Sequence, residues 1–297
     1  MDQTKKAKLA LPAVMLSNVI WGSSNLFTRS ALGVTRPVLL LAARFLIAFV
    51  TINLWLLLSG QRLRLRGRNL KPLLLLGVLE PLCLITESYG ILYTNASFAG
   101  VMLALVPIFA IFLAAVFLRE VPTRTQLLFC ALPIAGVIVI TLAGRSLGVV
   151  SALGVLFLFI HCLGSGTFKT ANRGLSQDFT PMERTYVMML GCAAVFTAAA
   201  LISVHGDPAA FAEPFRDRRV LLPALYLGAV CSVTANMMSN FGATYISVTK
   251  ASSLSALSTL TSAFGGVLIL GEPVSALAAL GAALIVLGVW QVTRRGT

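Results

Sequence analysis

The chain has 297 residues, of which 58% are hydrophobic and 11% are charged, and its formal net charge is +13. A soluble domain carries about 25% charged residues, so this composition excludes a soluble globular protein. Apolar stretches of about 20 residues between short polar breaks are typical of membrane-spanning helices, and they lack the alternating pattern of a β-barrel. The sequence therefore predicts an all-α integral membrane protein.

The excess of basic residues has a simple explanation in a membrane protein, because Lys and Arg hold loops on the cytoplasmic side. We therefore expect no nucleic-acid partner. Lys5, Lys6 and Lys8 precede the first apolar stretch, and no small-residue cleavage site follows, so this stretch is expected to be a span and not a signal peptide. All five cysteines lie in apolar stretches without a Cys-x-x-Cys motif, which predicts packing residues and neither disulfides nor metal ligands.

The apolar stretches predict ten transmembrane helices. In chain order, the predicted spans are 10–31, 37–58, 72–93, 97–118, 125–143, 149–170, 183–204, 220–241, 250–270 and 275–292. If the amino terminus lies in the cytoplasm, most Lys and Arg between spans fall on the cytoplasmic side. The positive-inside rule therefore predicts that both termini are cytoplasmic.

Two parts of the chain repeat each other. The segment that starts at Gly90 aligns with the segment that starts at Gly242. Further matched pairs are Tyr93 with Tyr245, Leu118 with Leu270, Glu120 with Glu272, and Gly136 with Gly288. The repeat predicts two units of five helices, 1–147 and 148–297, of which the second is inverted because five is odd. Inverted repeats are typical of secondary transporters, which bind their substrate where the two repeats meet.

The first predicted span carries a polar face. Asn18, Trp21 and Asn25 recur at helical spacing, and Ser24 lies beside them. Trp21 offers a flat apolar wall and one N–H donor, whereas the amides can bind a carboxylate or an ammonium group. We expect these four residues to line a substrate cavity.

Three ionisable residues fall inside the second and third predicted spans, where charge is costly and indicates function. Glu80 and Glu87 lie about two helical turns apart, on one face of the third span. They are candidates for a protonation site or for a contact with a substrate ammonium group, with a structural ion pair as the alternative. Arg44 reaches a depth similar to that of Glu87, which predicts an ion pair between them. Tyr89 is expected to line the outer vestibule.

The second half adds further candidates for substrate contacts. His161 lies in the sixth predicted span, where it can either titrate or form a hydrogen bond between two helices. We favour the hydrogen bond. Asn236 and Asn240 lie one helical turn apart in the eighth span. Glu120 and Glu272 lie at span ends, where we expect them to hold helix ends in place without binding substrate.

These motifs together resemble the drug/metabolite transporter superfamily of the EamA type. The resemblance is carried by Trp21-Gly22-Ser23-Ser24, Arg44-Phe45, Val106-Pro107, Arg119-Glu120 and Gly271-Glu272-Pro273. It implies ten helices and an exporter or exchanger of small metabolites. The usage of Ala, Leu and Arg favours a bacterial inner membrane, although the superfamily also has organellar members. The bacterial amino-acid exporters, including the aromatic-amino-acid group called YddG, are the functional precedent. The chain departs from the pattern at 259–261, where no proline matches Pro107.

We therefore expect a secondary transporter that exports or exchanges aromatic or neutral amino acids by alternating access. The alternative is a transporter of choline-like amines or polyamines, since Glu80, Glu87, Tyr89 and Trp21 would make an acidic, aromatic pocket. An intramembrane enzyme needs a nucleophile with a base or a metal cluster, and the spans carry no such motif. We expect no cofactor and no metal. The expected partners are a small-molecule substrate, the lipid bilayer and protons as candidate coupling ion, with the protein a monomer or weak dimer.

Overall fold

The computed structural model describes residues 3–32, 34–65, 69–94, 102–103, 105–143, 151–270 and 276–294, which form helices joined by short connections. The first half contains α1 (Gln3–Leu32), α2 (Pro37–Ser59), α3 (Lys71–Leu92), α4 (Val106–Phe117) and α5 (Arg124–Ala143). The second half begins with α6 (Ala152–Gly174), α7 (Pro181–Ser203), α8 (Pro208–Arg216) and α9 (Arg218–Leu225). A π-helical segment (Tyr226–Thr234) joins α9 to α10 (Ala235–Tyr245), and α11 (Val248–Leu254), α12 (Ala256–Leu270) and α13 (Ala276–Arg294) follow.

Some features predicted from the sequence lie outside the described residues. They are Glu272 with its neighbours in 271–275, the side chain of Asn25, and the junction of the two predicted repeats at 147–148.

Proline and a polar cap define the start of α7. Pro181 occupies the first turn, where its missing N–H is not needed. The Thr180 hydroxyl accepts a hydrogen bond from Glu183 N, and the Glu183 carboxylate accepts one from Thr180 N. The same carboxylate also accepts a hydrogen bond from Arg64 N at 2.9 Å. Glu183 is only 2% exposed. Its carboxylate both caps the start of α7 and holds the segment that follows α2 against this helix.

Within the described residues, five helices are long and apolar enough to cross a membrane: α2, α3, α6, α7 and the continuous helix Arg218–Tyr245. Shorter apolar helices cover Val106–Phe117, Arg124–Val139 and Ala279–Gln291. Large apolar side chains face away from the protein, and Leu58, Ile202 and Phe117 are 85%, 78% and 73% exposed. Exposed apolar surface of this extent suits lipid and not water. The predicted helical membrane fold is confirmed.

The helix contacts between the two halves form a symmetric pattern. Helix α1 packs against α10 and α12, whereas α6 packs against α3 and α4. Helix α3 packs against α7, and the π-helical segment packs against α2. Two further pairs, α2 with α7 and α5 with α13, each join a helix to its own counterpart in the other half. Exchanging each helix for its counterpart in the other half leaves this contact pattern unchanged.

Glycines occupy the closest helix crossings. Gly90 of α3 lies against Leu158 of α6, and its sequence match Gly242 of α10 lies against Val14 of α1. The members of this matched pair therefore make equivalent contacts in the two halves. A Cβ atom at either glycine would first meet the side chain of this neighbour, which would have to shift to make room for it.

The crossing of α3 and α7 gives a stability prediction. A Cβ atom at Gly191 would collide with backbone atoms of Gly77, which cannot move aside as a flexible side chain can. We expect Gly191→Ala to lower the free energy of unfolding by about 1–3 kcal/mol through overpacking. Thermal unfolding of the detergent-solubilised protein measures this loss. Gly174→Ala is the control, because its Cβ would meet only the end of the Leu118 side chain at 3.3 Å. Equal stability of the two variants would contradict the prediction.

Candidate substrate site

Arg44 of α2 and Glu80 and Glu87 of α3 come close enough for their charges to interact. The buried thiols of Cys192 in α7 and Cys231 in the π-helical segment lie within the same electrostatic environment. No direct ion pair forms among these three charged side chains, all of which the structure describes. The predicted Arg44–Glu87 pair is therefore replaced by a looser group of charges enclosed by four elements.

Arg44 is positioned by the π-helical segment instead of by Glu87. Its Nε donates a hydrogen bond to Ser232 Oγ at 2.8 Å, and its guanidinium carbon lies 5.2 Å from the centroid of the Phe45 ring. The backbones are close here because Gly228 lies directly against the Arg44 carbonyl. Among the described residues, Nη1 and Nη2 of Arg44 have no hydrogen-bond partner, so two donor groups of this side chain are free.

Glu80 is enclosed by the protein, yet its side chain keeps part of its accessible surface. In the part of the chain that the structure describes, its carboxylate forms neither a hydrogen bond nor an ion pair. A carboxylate without a partner in a membrane span is costly, so Glu80 remains a candidate for binding a substrate or a proton.

Glu87 lies towards α6. Its Oε2 is 4.0 Å from His161 Nδ1, and His161 Nδ1 is 2.8 Å from the Cys83 carbonyl oxygen. Since a carbonyl oxygen can only accept, Nδ1 carries a hydrogen atom and donates a hydrogen bond to the Cys83 carbonyl oxygen. Ser165 Oγ lies 3.2 Å from His161 Nε2, within hydrogen-bond distance. The imidazole therefore links α6 to α3 by a hydrogen bond.

Trp21 joins α1 to the same π-helical segment. Its Nε1 donates a hydrogen bond to the Cys231 carbonyl at 3.1 Å, next to the Ser232 side chain that holds Arg44. Ser23 Oγ lies 2.6 Å from Tyr226 Oη, which anchors the other end of the segment. The Trp21 N–H is consequently occupied by the protein, and only the face of its ring remains for a ligand. π-Helical turns of this kind are frequent at functional sites.

The predicted polar face of α1 is only partly directed at this region. Asn18 is 2% exposed and donates to the Val14 carbonyl of its own helix at 2.8 Å. The Ser24 hydroxyl donates to the Trp21 carbonyl at 2.6 Å. The structure therefore differs from the expected lining, because these short polar side chains satisfy their hydrogen bonds on their own backbone.

Asn236 and Asn240 also satisfy their hydrogen bonds within the protein, but in two different environments. Asn236 donates to the Ser232 carbonyl at 2.8 Å, beside the Arg44 contact. Asn240 accepts from Asn172 at 2.7 Å and donates to Thr185 at 2.8 Å. It is 1% exposed, so its amide is enclosed in a second network that lies apart from the charged group.

Tyr89 is 46% exposed and packs in an aromatic cluster. Its ring centroid lies 6.2 Å from that of Tyr93 and 5.8 Å from that of Phe157. Its ring thus lies at a partly open surface, where we expected a vestibule.

Sequence reasoning missed the centre of the second network. Arg184 is fully buried at 0% exposure, although its position near a span end indicated a loop cation. Its Nη1 donates to the carbonyl and the side-chain oxygen of Asn172, at 2.7 and 2.8 Å. Its Nη2 donates to the Asn240 carbonyl and to Thr244 Oγ1, at 2.7 and 2.8 Å. The available signal was that Asn172, Arg184 and Asn240 all lie near the ends of three successive predicted spans.

Glu120 and Arg173 close the end of the molecule next to this network. Arg173 Nε donates to Glu120 Oε1 at 2.8 Å, and its Nη1 donates to the Ala243 and Thr244 carbonyls at the end of α10. Glu120 Oε2 accepts from Val248 N, at the start of α11. Glu120 therefore lies at a helix end, where the sequence had placed it.

Two cavities lie outside the charged group. One of about 650 Å³ opens between α1, α2, α7 and α10. The other, of about 600 Å³, lies between the start of α2 and the region of α8. Arg44 and Glu80 line neither of them. The described residues contain no cluster of His, Cys, Asp or Glu that fits a metal ion.

Comparison with known proteins identifies the family. Two segments of the chain, residues 8–142 and 152–294, match the EamA-like transporter family. "Uncharacterized transporter YcxC" of Bacillus subtilis (strain 168) is 33% identical, over 93% of this chain and 90% of its own length. The "Probable terminal-alkyne amino-acid exporter" of Streptantibioticus cattleyicolor is 27% identical, over 98% of this chain and 95% of its own. One crystal structure covers 96% of both chains with a TM-score of 0.81, and its 20% identity supports the fold alone.

These findings agree with the apolar helices and with the absence of an enzyme motif in the sequence. The matched family and the named relatives are transporters and not enzymes, and two of the relatives are bacterial. The protein is thus a multi-pass protein of the bacterial inner membrane. The chain belongs to the EamA-like transporter family, within the drug/metabolite transporter superfamily.

Proposed function

We propose that the protein is a secondary transporter that exports or exchanges aromatic or neutral amino acids by alternating access. The observation that carries this proposal is that Arg44 and Glu80, two ionisable residues of membrane-spanning helices, form no ion pair among the described residues, and that Arg44 is held by a residue of the other half. Arg44 and Glu80 come from the first half, and Ser232 from the second. Intramembrane charges without partners are costly unless a ligand or an ion uses them. The related protein named as an amino-acid exporter supports amino acids as the substrate class.

The proposed architecture has ten spans in two inverted repeats, 1–147 and 148–297, with both termini in the cytoplasm. The interchangeable helix contacts of the two halves support this arrangement, as do the two separate family matches. Two related halves that meet around one site can adopt two similar packings, each open to one side of the membrane.

Counterflow in proteoliposomes tests the function. Vesicles are preloaded with phenylalanine, leucine, choline or putrescine, and uptake of the same labelled compound is compared with that of protein-free vesicles. We expect amino-acid exchange, because Arg44 would repel a purely cationic substrate from Glu80. Exchange of choline or putrescine without exchange of amino acids would overturn the proposed substrate. Exchange of none of the four would leave only membership of the family.

The orientation gives a separate prediction. Ala209 and Gln61 are both exposed, and the described cysteines are buried. A single cysteine introduced at either position can therefore be labelled selectively. We expect Ala209→Cys to react with a membrane-impermeant maleimide in intact cells. Gln61→Cys should react only after permeabilisation, since it lies on the cytoplasmic side in the proposed topology. The reverse pattern would contradict the orientation, and labelling of both from outside would contradict the span count between them.

A further inference from the structure

We propose that the cavity between α1, α2, α7 and α10 binds an anionic phospholipid. In this site, the side chains of Arg62 and Arg64 bind the phosphate of the lipid, and the apolar part of the cavity holds an acyl chain. The inference goes beyond the proposed function, because it holds whichever substrate the protein carries.

The position of the cavity suits a lipid. Arg62 and Arg64, which line it, belong to the segment that follows α2. The wall from α10 includes Met237, which lies eight residues before Tyr245, the last residue of that helix. Since an α-helix rises about 1.5 Å per residue, this wall reaches about 12 Å in from the helix end. Both α2 and the helix that ends at Tyr245 are long and apolar enough to cross a membrane. The cavity therefore extends from the ends of the spans into their apolar part.

Apolar side chains form most of the lining. They belong to Leu56, Met182, Met237, Met238 and Phe241. Methionine is flexible and packs well against irregular partners, and an acyl chain is such a partner. The volume of about 650 Å³ lies within the range of about 300–1,000 Å³ that is usual for small-molecule sites. The cavity therefore has the size and the surface to hold part of a hydrocarbon chain.

The charged residues of the lining favour an anion. Arg62 and Arg64 are exposed, and among the described residues their guanidinium groups have neither a hydrogen-bond nor an ion-pair partner. The carboxylate of Glu183 also lines the cavity, but it is 2% exposed and accepts hydrogen bonds from Arg64 N and Thr180 N. Arginine binds phosphate through paired N–H groups. Two arginines that line one cavity are therefore available for a phosphate group.

These features together select a phospholipid over the transported amino acid. An amino acid needs an anion for its ammonium group, and Glu183, the one carboxylate in the described lining, already binds the backbone. An anionic phospholipid carries the two groups that the lining matches, a phosphate for the arginines and a hydrocarbon chain for the apolar wall. In the proposed topology both arginines lie on the cytoplasmic side, where basic residues next to spans attract anionic headgroups.

Native mass spectrometry of the detergent-solubilised protein tests the site. The protein is titrated with dioleoyl phosphatidylglycerol, or with dioleoyl phosphatidylcholine, which has the same chains and no net charge. We expect phosphatidylglycerol to bind about 30-fold more tightly, from the contribution of two basic residues near an anionic headgroup. The double substitution Arg62→Gln/Arg64→Gln should remove this preference. It should leave the fold intact, because both side chains are exposed and the Arg64 N–H that binds Glu183 is kept.

Two further variants separate the headgroup from the chain. Arg216→Gln/Arg218→Gln is the matched control, because it removes two exposed arginines that do not line the cavity. We expect it to keep the lipid preference of the wild type. Met238→Trp reduces the apolar space and keeps both charges, so it should weaken the binding of both lipids alike.

Each other outcome would overturn the proposal. Equal affinity of the wild type for the two lipids would mean that the arginines do not select the headgroup. An unchanged preference in Arg62→Gln/Arg64→Gln, or a lost preference in Arg216→Gln/Arg218→Gln, would place the lipid elsewhere on the protein. Sodium phosphate is added as a competitor at the concentration of the lipid. Displacement of phosphatidylglycerol by it would mean that the site binds a free anion without using the apolar wall.

Discussion

Replacing Arg184 with glutamine is expected to destabilise the protein strongly. The fully buried guanidinium donates four hydrogen bonds to Asn172, Asn240 and Thr244, and so joins α6, α7 and α10. Each hydrogen bond from a charged group contributes about 1.5–3 kcal/mol, and each acceptor left without a partner costs about 1–3 kcal/mol. The total loss of about 3 kcal/mol or more is a large part of a typical folding free energy.

The measurement is the melting temperature of detergent-solubilised protein. It is monitored through the height of the size-exclusion peak that remains after heating. We expect Arg184→Gln to lower it by about 10 °C or to abolish the monodisperse peak. Arg184→Lys should be nearly as damaging, because one ammonium group cannot reach the two sets of acceptors. Arg219→Ala is the control, since that arginine is exposed and contacts Asp217, where its hydrogen bond lowers the pKa of the carboxyl. Equal melting temperatures for Arg184→Gln and Arg219→Ala would contradict the prediction.

Hydropathy was enough to predict the helical membrane fold. The predicted spans 37–58 and 183–204 lie within two residues of α2 and α7, because an apolar stretch long enough to cross a bilayer has one stable conformation there. The charged group was also predictable in part, because Arg44, Glu80 and Glu87 are ionisable residues in apolar spans. The similar depth of Arg44 and Glu87 in the membrane predicted that they lie near each other.

The partners of those residues were less predictable, because side-chain hydrogen bonds depend on which helices touch. Trp21 binds a carbonyl of the π-helical segment, and Arg44 binds Ser232 in that segment. A π-helical turn has no clear sequence signature, so neither contact followed from spacing. Asn240 looked like Asn236 in the sequence, and only the position of Arg184 on α7 separates their environments.

Breaking the contact between Glu120 and Arg173 is expected to loosen the junction of α10 and α11. Arg173 binds the last carbonyls of α10, and Glu120 binds the first N–H of α11. Each charge has the sign that the adjacent helix end favours, a cation at the carboxyl end and an anion at the amino end. Their mutual hydrogen bond at 2.8 Å connects the loop after α4 to α6 and to this junction. The pair therefore joins the two halves at one end of the molecule.

We expect Glu120→Ala and Arg173→Ala each to lower the free energy of unfolding by about 1–3 kcal/mol, through the lost partner and the uncapped helix end. The decisive variant is the charge swap Glu120→Arg/Arg173→Glu, measured by thermal unfolding beside both singles. An isolated ion pair would be restored by the swap, whereas capping charges would not, because arginine would then face the amino end of α11 and glutamate the carboxyl end of α10. Recovery in the swap would contradict the capping role. Failure to recover would mean that the orientation of the two helix ends determines which charge each position holds.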